Sequence, residues 1–108
     1  MTTEEIVSIL RNHKSRNPEQ HTLWMMAVYL LRRRGYSISN IASAFVVHRD
    51  TVVYTVNKTK DLLSVKDKYA INARKAFQRH TIVLVPYFYG KKEKKVHFYV
   101  EIDDTKLL

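Results

Sequence analysis

The side chains between His48 and Lys58 are the ones whose types and spacing suit a chemical task. His48, Arg49, Asp50, Thr51, Tyr54, Thr55 and Lys58 combine an imidazole, a guanidinium, a carboxylate, hydroxyls and an ammonium over three helical turns. Helical spacing turns Arg49, Thr51, Tyr54, Thr55 and Lys58 outward and Val53, Val56 and Leu63 inward. A planar guanidinium at the start of such a helix can address guanine O6 and N7 together, a contact worth about 1–3 kcal/mol of base discrimination. The competing reading of Arg49 is a surface arginine paired with Asp50. Lys14 and Arg16 add cations suited to phosphate oxygens, and the Arg32-Arg33-Arg34 run either does the same or matches a helix dipole. The chemistry on offer is recognition of a polyanion by charge and hydrogen bonds.

Bond-making chemistry has no comparable candidate. His13, His21, His48, His80 and His97 show no paired spacing with carboxylates that a metal site needs, and they read as surface residues. Asp50, Asp61 and Asp67 have capping or surface explanations, and Asp103-Asp104 falls in a tail. A glycine-rich phosphate loop is absent from the sequence, so nucleotide binding is not expected. The expectation is a non-enzymatic protein with no catalytic residues, no metal and no cofactor.

Charge and composition agree with that expectation. The 108 residues carry 19 Lys and Arg against 10 Asp and Glu, a net charge of +9. Residues 1–80 hold 14 of the cations and 6 of the acids, so the excess lies in the helical part. A hydrophobic content of 45% fills one core, and the lack of cysteine removes disulfides and thiolate zinc sites. The sequence contains no apolar run of membrane-spanning length, and Met1-Thr2-Thr3-Glu4-Glu5 lacks the order of a signal peptide. A soluble, cytoplasmic protein is expected, associated with the nucleoid, or with a host cytoplasm if viral.

The elements that must position these residues follow from periodicity. Ile6, Ile9 and Leu10 mark a short amphipathic helix over Glu4 to Asn12, capped by Thr3. Asn17-Pro18-Glu19-Gln20 opens a long helix with a cap, a proline at its first position and a capping-box glutamine. Leu23, Met26, Ala27, Leu30 and Leu31 form its stripe, and Gly35 stops it. Trp24 reads as core, with an interface role as the sharper option. Ser37 to Phe45 and the segment after Asp50-Thr51 are two helices with very little between them, the spacing of a helix-turn-helix. Ser64-Val65-Lys66-Asp67 resembles a capping box opening one more helix through Tyr69, Ala73, Ala76 and Phe77.

After His80 the period becomes alternating. Thr81 to Tyr89 and Lys95 to Ile102 predict a β-hairpin around Gly90 to Lys94, its first strand apolar on both faces. The predicted fold is mainly α: a helix-turn-helix bundle of about five helices over residues 1–80, then a C-terminal β-hairpin over 81–108 serving packing or dimerisation. The lysines at 91, 92, 94 and 95 read as a soluble turn or as a tip lying along a phosphate backbone.

Three stretches resemble the C-terminal, domain IV-like DNA-binding domain of the replication initiator DnaA, within the Trp-repressor-like superfamily. Lys14-Ser15-Arg16, Glu19 and Ala27-Val28-Tyr29-Leu30 are similar to the family's entry into its long helix. Ser37-Ile38-Ser39-Asn40-Ile41-Ala42-Ser43-Ala44-Phe45 resembles its Ser-Leu-x-x-Ile-Gly-x-x-Phe helix. Val46-Val47-His48-Arg49-Asp50-Thr51-Val52-Val53-Tyr54 occupies the place of its Gly-Gly-Arg-Asp-His-Thr-Thr-Val-Leu signature. The likeness covers Glu4 to Phe77 and implies a helix entering the major groove from near Asp50, with Thr51 touching base or backbone. Arg49 and Asp50 stand where the family has Asp and His, and Trp24 where it has a minor-groove arginine. The resemblance therefore implies DNA binding with a target sequence of its own.

Together these readings predict sequence-selective binding of double-stranded DNA through Lys14, Arg16, His48, Arg49, Asp50, Thr51, Tyr54, Thr55 and Lys58. The expected role is regulation of transcription or replication, from a phage or mobile element, with a homodimer through the hairpin and no membrane partner. The alternative is a protein-interaction module that docks a host or replication partner through the apolar hairpin.

Overall fold

The computed structural model describes residues 1–89 and 93–102, with the side chains of 86–89 and 93–95 left aside. Five helices precede an antiparallel hairpin among the described residues: α1 (Thr3–Arg11), α2 (Pro18–Arg33), α3 (Ile38–Phe45), α4 (Arg49–Ser64), α5 (Lys68–Ala76), β1 (His80–Tyr89) and β2 (Glu93–Ile102). This is the mainly α bundle with a C-terminal hairpin that the periodicity predicts. The tip residues 90–92 and the tail from 103 lie outside the described residues, and with them part of the lysine-rich turn and Asp103-Asp104.

Local chemistry accounts for where the helices begin. Thr2, one residue before the expected Thr3, caps α1 by accepting the Glu5 N–H at 3.2 Å. Asn17 Oδ1 accepts the N–H groups of Glu19 and Gln20 at 3.0 and 3.3 Å, ahead of Pro18. Gln20 does not close a capping box, because its Oε1 accepts the Ser15 hydroxyl at 2.9 Å instead. Ser37 caps α3, and Asp67 rather than Ser64 caps α5, since α4 runs on through Ser64.

Three helices end alike, with a left-handed residue that folds the chain back on its last carbonyls. Gly35 (φ +99°) closes α2, where the Tyr36 N–H reaches Leu31 O at 3.2 Å. Lys66 (φ 57°) closes α4, where the Asp67 N–H reaches Leu62 O at 3.0 Å. Val46 (φ 54°) closes α3, where the Val47 N–H reaches Ala42 O at 3.0 Å. A β-branched residue is a costly occupant of that conformation, and Val46 gains no burial in return, being 89% exposed.

One buried cluster joins all seven elements. α2 runs through its centre, packing against α1, α3, α4, α5 and β1. The hairpin contributes Ile82, Leu84, Val96 and Val100 to the same cluster. Its register pairs Ile82 with Val100 and Leu84 with Phe98 on the core side, and Val83 with Tyr99 and Val85 with His97 on the outside. A lone hairpin is marginal in water, and packing one face against the helices is what sustains this one. His80, expected at the surface, is buried where β1 leaves α5, with its Nδ1 3.3 Å from Ala76 O. Among the described residues no helix is long and apolar enough to cross a membrane.

Candidate nucleic-acid interface

The site is built on α3, the turn Val46-Val47-His48 and α4. His48 caps α4, its Nδ1 accepting the Asp50 N–H at 3.2 Å, so the helix starts at Arg49, ahead of the expected Asp50-Thr51 cap. Asp50 Oδ2 also lies 3.5 Å from His48 Nδ1, with both side chains almost fully in solvent. That pair is the single acid–base contact among the described residues. Asp50 therefore faces His48 rather than Arg49, which removes the surface-pair reading of Arg49. Neither Arg49 nor Lys58 has an acidic partner among the described residues.

α4 docks by a narrow strip. Val52, Thr55 and Thr59 are buried, with Val56, Leu62 and Leu63 partly so. The Thr59 hydroxyl sits 2.8 Å from Thr55 O and 3.3 Å from Met25 O, so its polarity is absorbed by its own helix and by α2. This registration corrects the sequence reading in two places. Thr55, expected on the outer face, is only 3% exposed and is not available to a partner. Val53, expected inside, is 43% exposed. Adjacent Val52 and Val53 offer two helical registers, and the observed one buries Val52 with Thr55 and Thr59, the Thr59 hydroxyl being satisfied by the Thr55 and Met25 carbonyls.

The face opposite that strip carries Arg49, Asp50, Thr51, Val53, Tyr54, Asn57, Lys58 and Asp61, all exposed. Tyr54 is 63% exposed, an unusual commitment of an aromatic to water. Asn57 was not singled out by the sequence reading, although it lies at i+3 from Tyr54 and i+7 from Asp50.

Lys14 lines a shallow depression with Arg11, His13, Phe45, Val46 and Phe98, so it joins the turn at one end of the molecule. A second depression, lined by Val46, Val47, His48, Val96 and His97, brings β2 to the same place. Arg16 is exposed on the link before α2, and no contact places it beside the turn. The arginine run is engaged within the chain. Arg32 donates to Tyr36 O at 3.1 Å, Arg33 to the Tyr29 hydroxyl at 3.1 Å, and Arg34 to Ile82 O at 2.8 Å, where it ties α2 to the hairpin.

An aromatic stack braces the turn from behind. His13 lies flat on Trp24 at 5.0 Å, Trp24 meets Phe45 edge-on at 5.9 Å, and Phe45 meets Phe98 of β2 at 5.1 Å. His13 Nε2 is 3.0 Å from Phe45 O, at the end of α3. Burial holds the His13 imidazole below its ordinary value, an effect that outweighs the carbonyl contact opposing it. Trp24 is 3% exposed, which makes it core rather than interface, and its indole N–H finds no acceptor among the described residues. On the outer face of the hairpin, a hydrogen bond with Glu101 raises the Tyr99 phenol.

Among the described residues no three His, Asp or Glu side chains gather as a metal ion would require. The arrangement presents donors, acceptors and cations that make no salt bridge among the described residues on an exposed helix face. No protein-family model, curated protein or solved structure matches this chain.

Proposed function

We propose that this chain binds double-stranded DNA sequence-selectively, as a non-enzymatic regulator of transcription or replication built on a DnaA-like helix-turn-helix. The observation that carries this reading is the outward face of α4, where Arg49, Tyr54 and Lys58 stand exposed and without an acidic partner among the described residues, on a protein of net charge +9. In this reading the first half of α4 enters the major groove. Arg49 addresses a base edge, Thr51 and Lys58, seven residues apart on one flank of α4, hold phosphates, and His48 and Asp50 meet the groove at the helix start. Lys14, carried beside the turn, extends the charge along the backbone, and Arg16 contributes from the link.

The test is fluorescence anisotropy with labelled duplexes at several salt concentrations. Replacing Arg49 and Lys58 together by Ala should weaken binding roughly 10- to 100-fold and flatten the log–log salt dependence by about one to two phosphate contacts. Unchanged affinity in the double variant would refute the groove assignment.

A second surface supports a protein partner. Val83, Val85 and the 43% exposed Tyr99 lie on the outer hairpin face beside exposed His97 and Glu101. A second copy of the chain is the occupant that complements DNA reading, because two recognition helices address two half-sites. Sedimentation equilibrium giving a monomer mass at all concentrations, with or without duplex, would exclude it.

A further inference from the structure

We infer that Asn57 is the adenine-reading residue of α4, so that the target contains an A·T pair contacted two helical turns into the recognition helix. The inference rests on the DNA-binding reading and names what that site selects. Asp50, Val53, Tyr54, Asn57 and Lys58 follow the spacing i, i+3, i+4, i+7 and i+8, and all are exposed opposite the buried strip Val52, Thr55 and Thr59.

Asn57 is the uncommitted amide of that stripe. Asn17 is occupied capping α2, whereas the side chain of Asn57 makes no hydrogen bond to any described residue. Asparagine is a poor helix former because its side chain competes for the backbone, so a mid-helix position returns nothing locally. Its amide is therefore left open to water or to a bound partner.

Chemistry then names the base. An amide presents one acceptor and one donor side by side, and in the major groove adenine alone offers the matching pair, N6–H₂ and N7. Guanine offers two acceptors there, cytosine a donor, and thymine an acceptor with a methyl. Val53, one turn earlier on the same face, is an exposed apolar group suited to a thymine methyl. At about 1.5 Å per residue, Asp50 to Asn57 spans roughly 10 Å, about three base-pair steps. Asp61, one turn beyond, would face phosphate unfavourably and limits how far α4 inserts.

The experiment uses the full chain. Wild type and Asn57→Ala each select duplexes from a random pool, and the recovered sites are compared by competition anisotropy. The expected wild-type motif contains an A·T pair whose replacement by G·C weakens binding about 10-fold, within the range of a good bidentate contact. Asn57→Ala should lose that discrimination to within about twofold while keeping its salt dependence and its Tm, and Asn57→Arg should move the preference to guanine. The same motif and discrimination in Asn57→Ala, or a wild-type motif with no A·T preference, would overturn the assignment. A wild-type chain that retains no duplex from the pool would instead remove the DNA-binding reading beneath it.

Discussion

α2 and α4 are both sixteen residues long, and the bundle uses them in opposite ways. α2 buries eight residues, from Thr22 to Val28 without a break and then Leu31, so it meets neighbours on nearly every side. α4 buries three, Val52, Thr55 and Thr59. The first is a post around which the other elements collect. The second is a rail held along one edge, which leaves most of its circumference in solvent. Burial in α2 secures the fold, and lack of it in α4 leaves the face on which the proposed DNA binding rests, so substitutions in the two helices should separate stability from binding.

The largest effect should come from breaking the post. Met26 is fully buried in α2, and Met26→Ala should cost about 2–5 kcal/mol in urea unfolding, through lost transfer energy and the cavity left behind. Tyr54→Ala on the exposed face of α4 should stay within about 0.5 kcal/mol in the same measurement, and a comparable loss at both positions would erase the contrast. Next in size is the Arg49→Ala and Lys58→Ala pair, which should lower duplex affinity as described while leaving the unfolding midpoint in place.

A smaller change should sharpen the comparison by stabilising the joint between α3 and α4. Val46→Gly replaces a strained, exposed β-branched residue where a left-handed conformation is required. It should add about 1 kcal/mol and raise Tm by a few degrees in calorimetry, and a lower Tm would show that Val46 is not strained.

Acid should loosen the brace behind that joint. Burial holds the folded His13 imidazole below 6.5, so the unfolded chain takes up the proton first. The His13 contribution is complete above pH 6.5 and declines as the pH falls below it, until the folded imidazole itself titrates. His13→Asn should flatten the fall in Tm between pH 7 and pH 5 relative to wild type. The smallest effect belongs to Asp61→Asn, which removes a like charge from the phosphate side of α4 and should tighten duplex binding about twofold at low salt.

Most of the architecture was legible in the sequence because strong local signals agree with the packing. Asn17-Pro18 opening α2, Gly35 closing it and the switch to alternation at His80 each have one good structural solution. The face of α4 was less legible. Val52 and Val53 compete for the core, and Thr55 and Thr59 look polar until the i−4 carbonyl and α2 are seen to absorb a hydroxyl. Thr55 was therefore placed on the wrong side, and Asn57 was passed over although the correct registration puts it outward. The arginine run read equally well as phosphate ligand and helix end, whereas the structure gives each arginine a hydrogen bond within the chain, that of Arg34 reaching the hairpin, which sequence periodicity does not signal.

The stack of Phe98 on Phe45 has a mechanical corollary. Because β2 stands directly behind the last residue of α3, the hairpin is not an appendage that can be trimmed away. Cutting the chain before β1 would strip Phe45 of the Phe98 ring and leave Trp24 and His13 to hold the α3–α4 joint unaided. A protein that gripped the outer hairpin strands would have its hand one ring away from the α3–α4 joint.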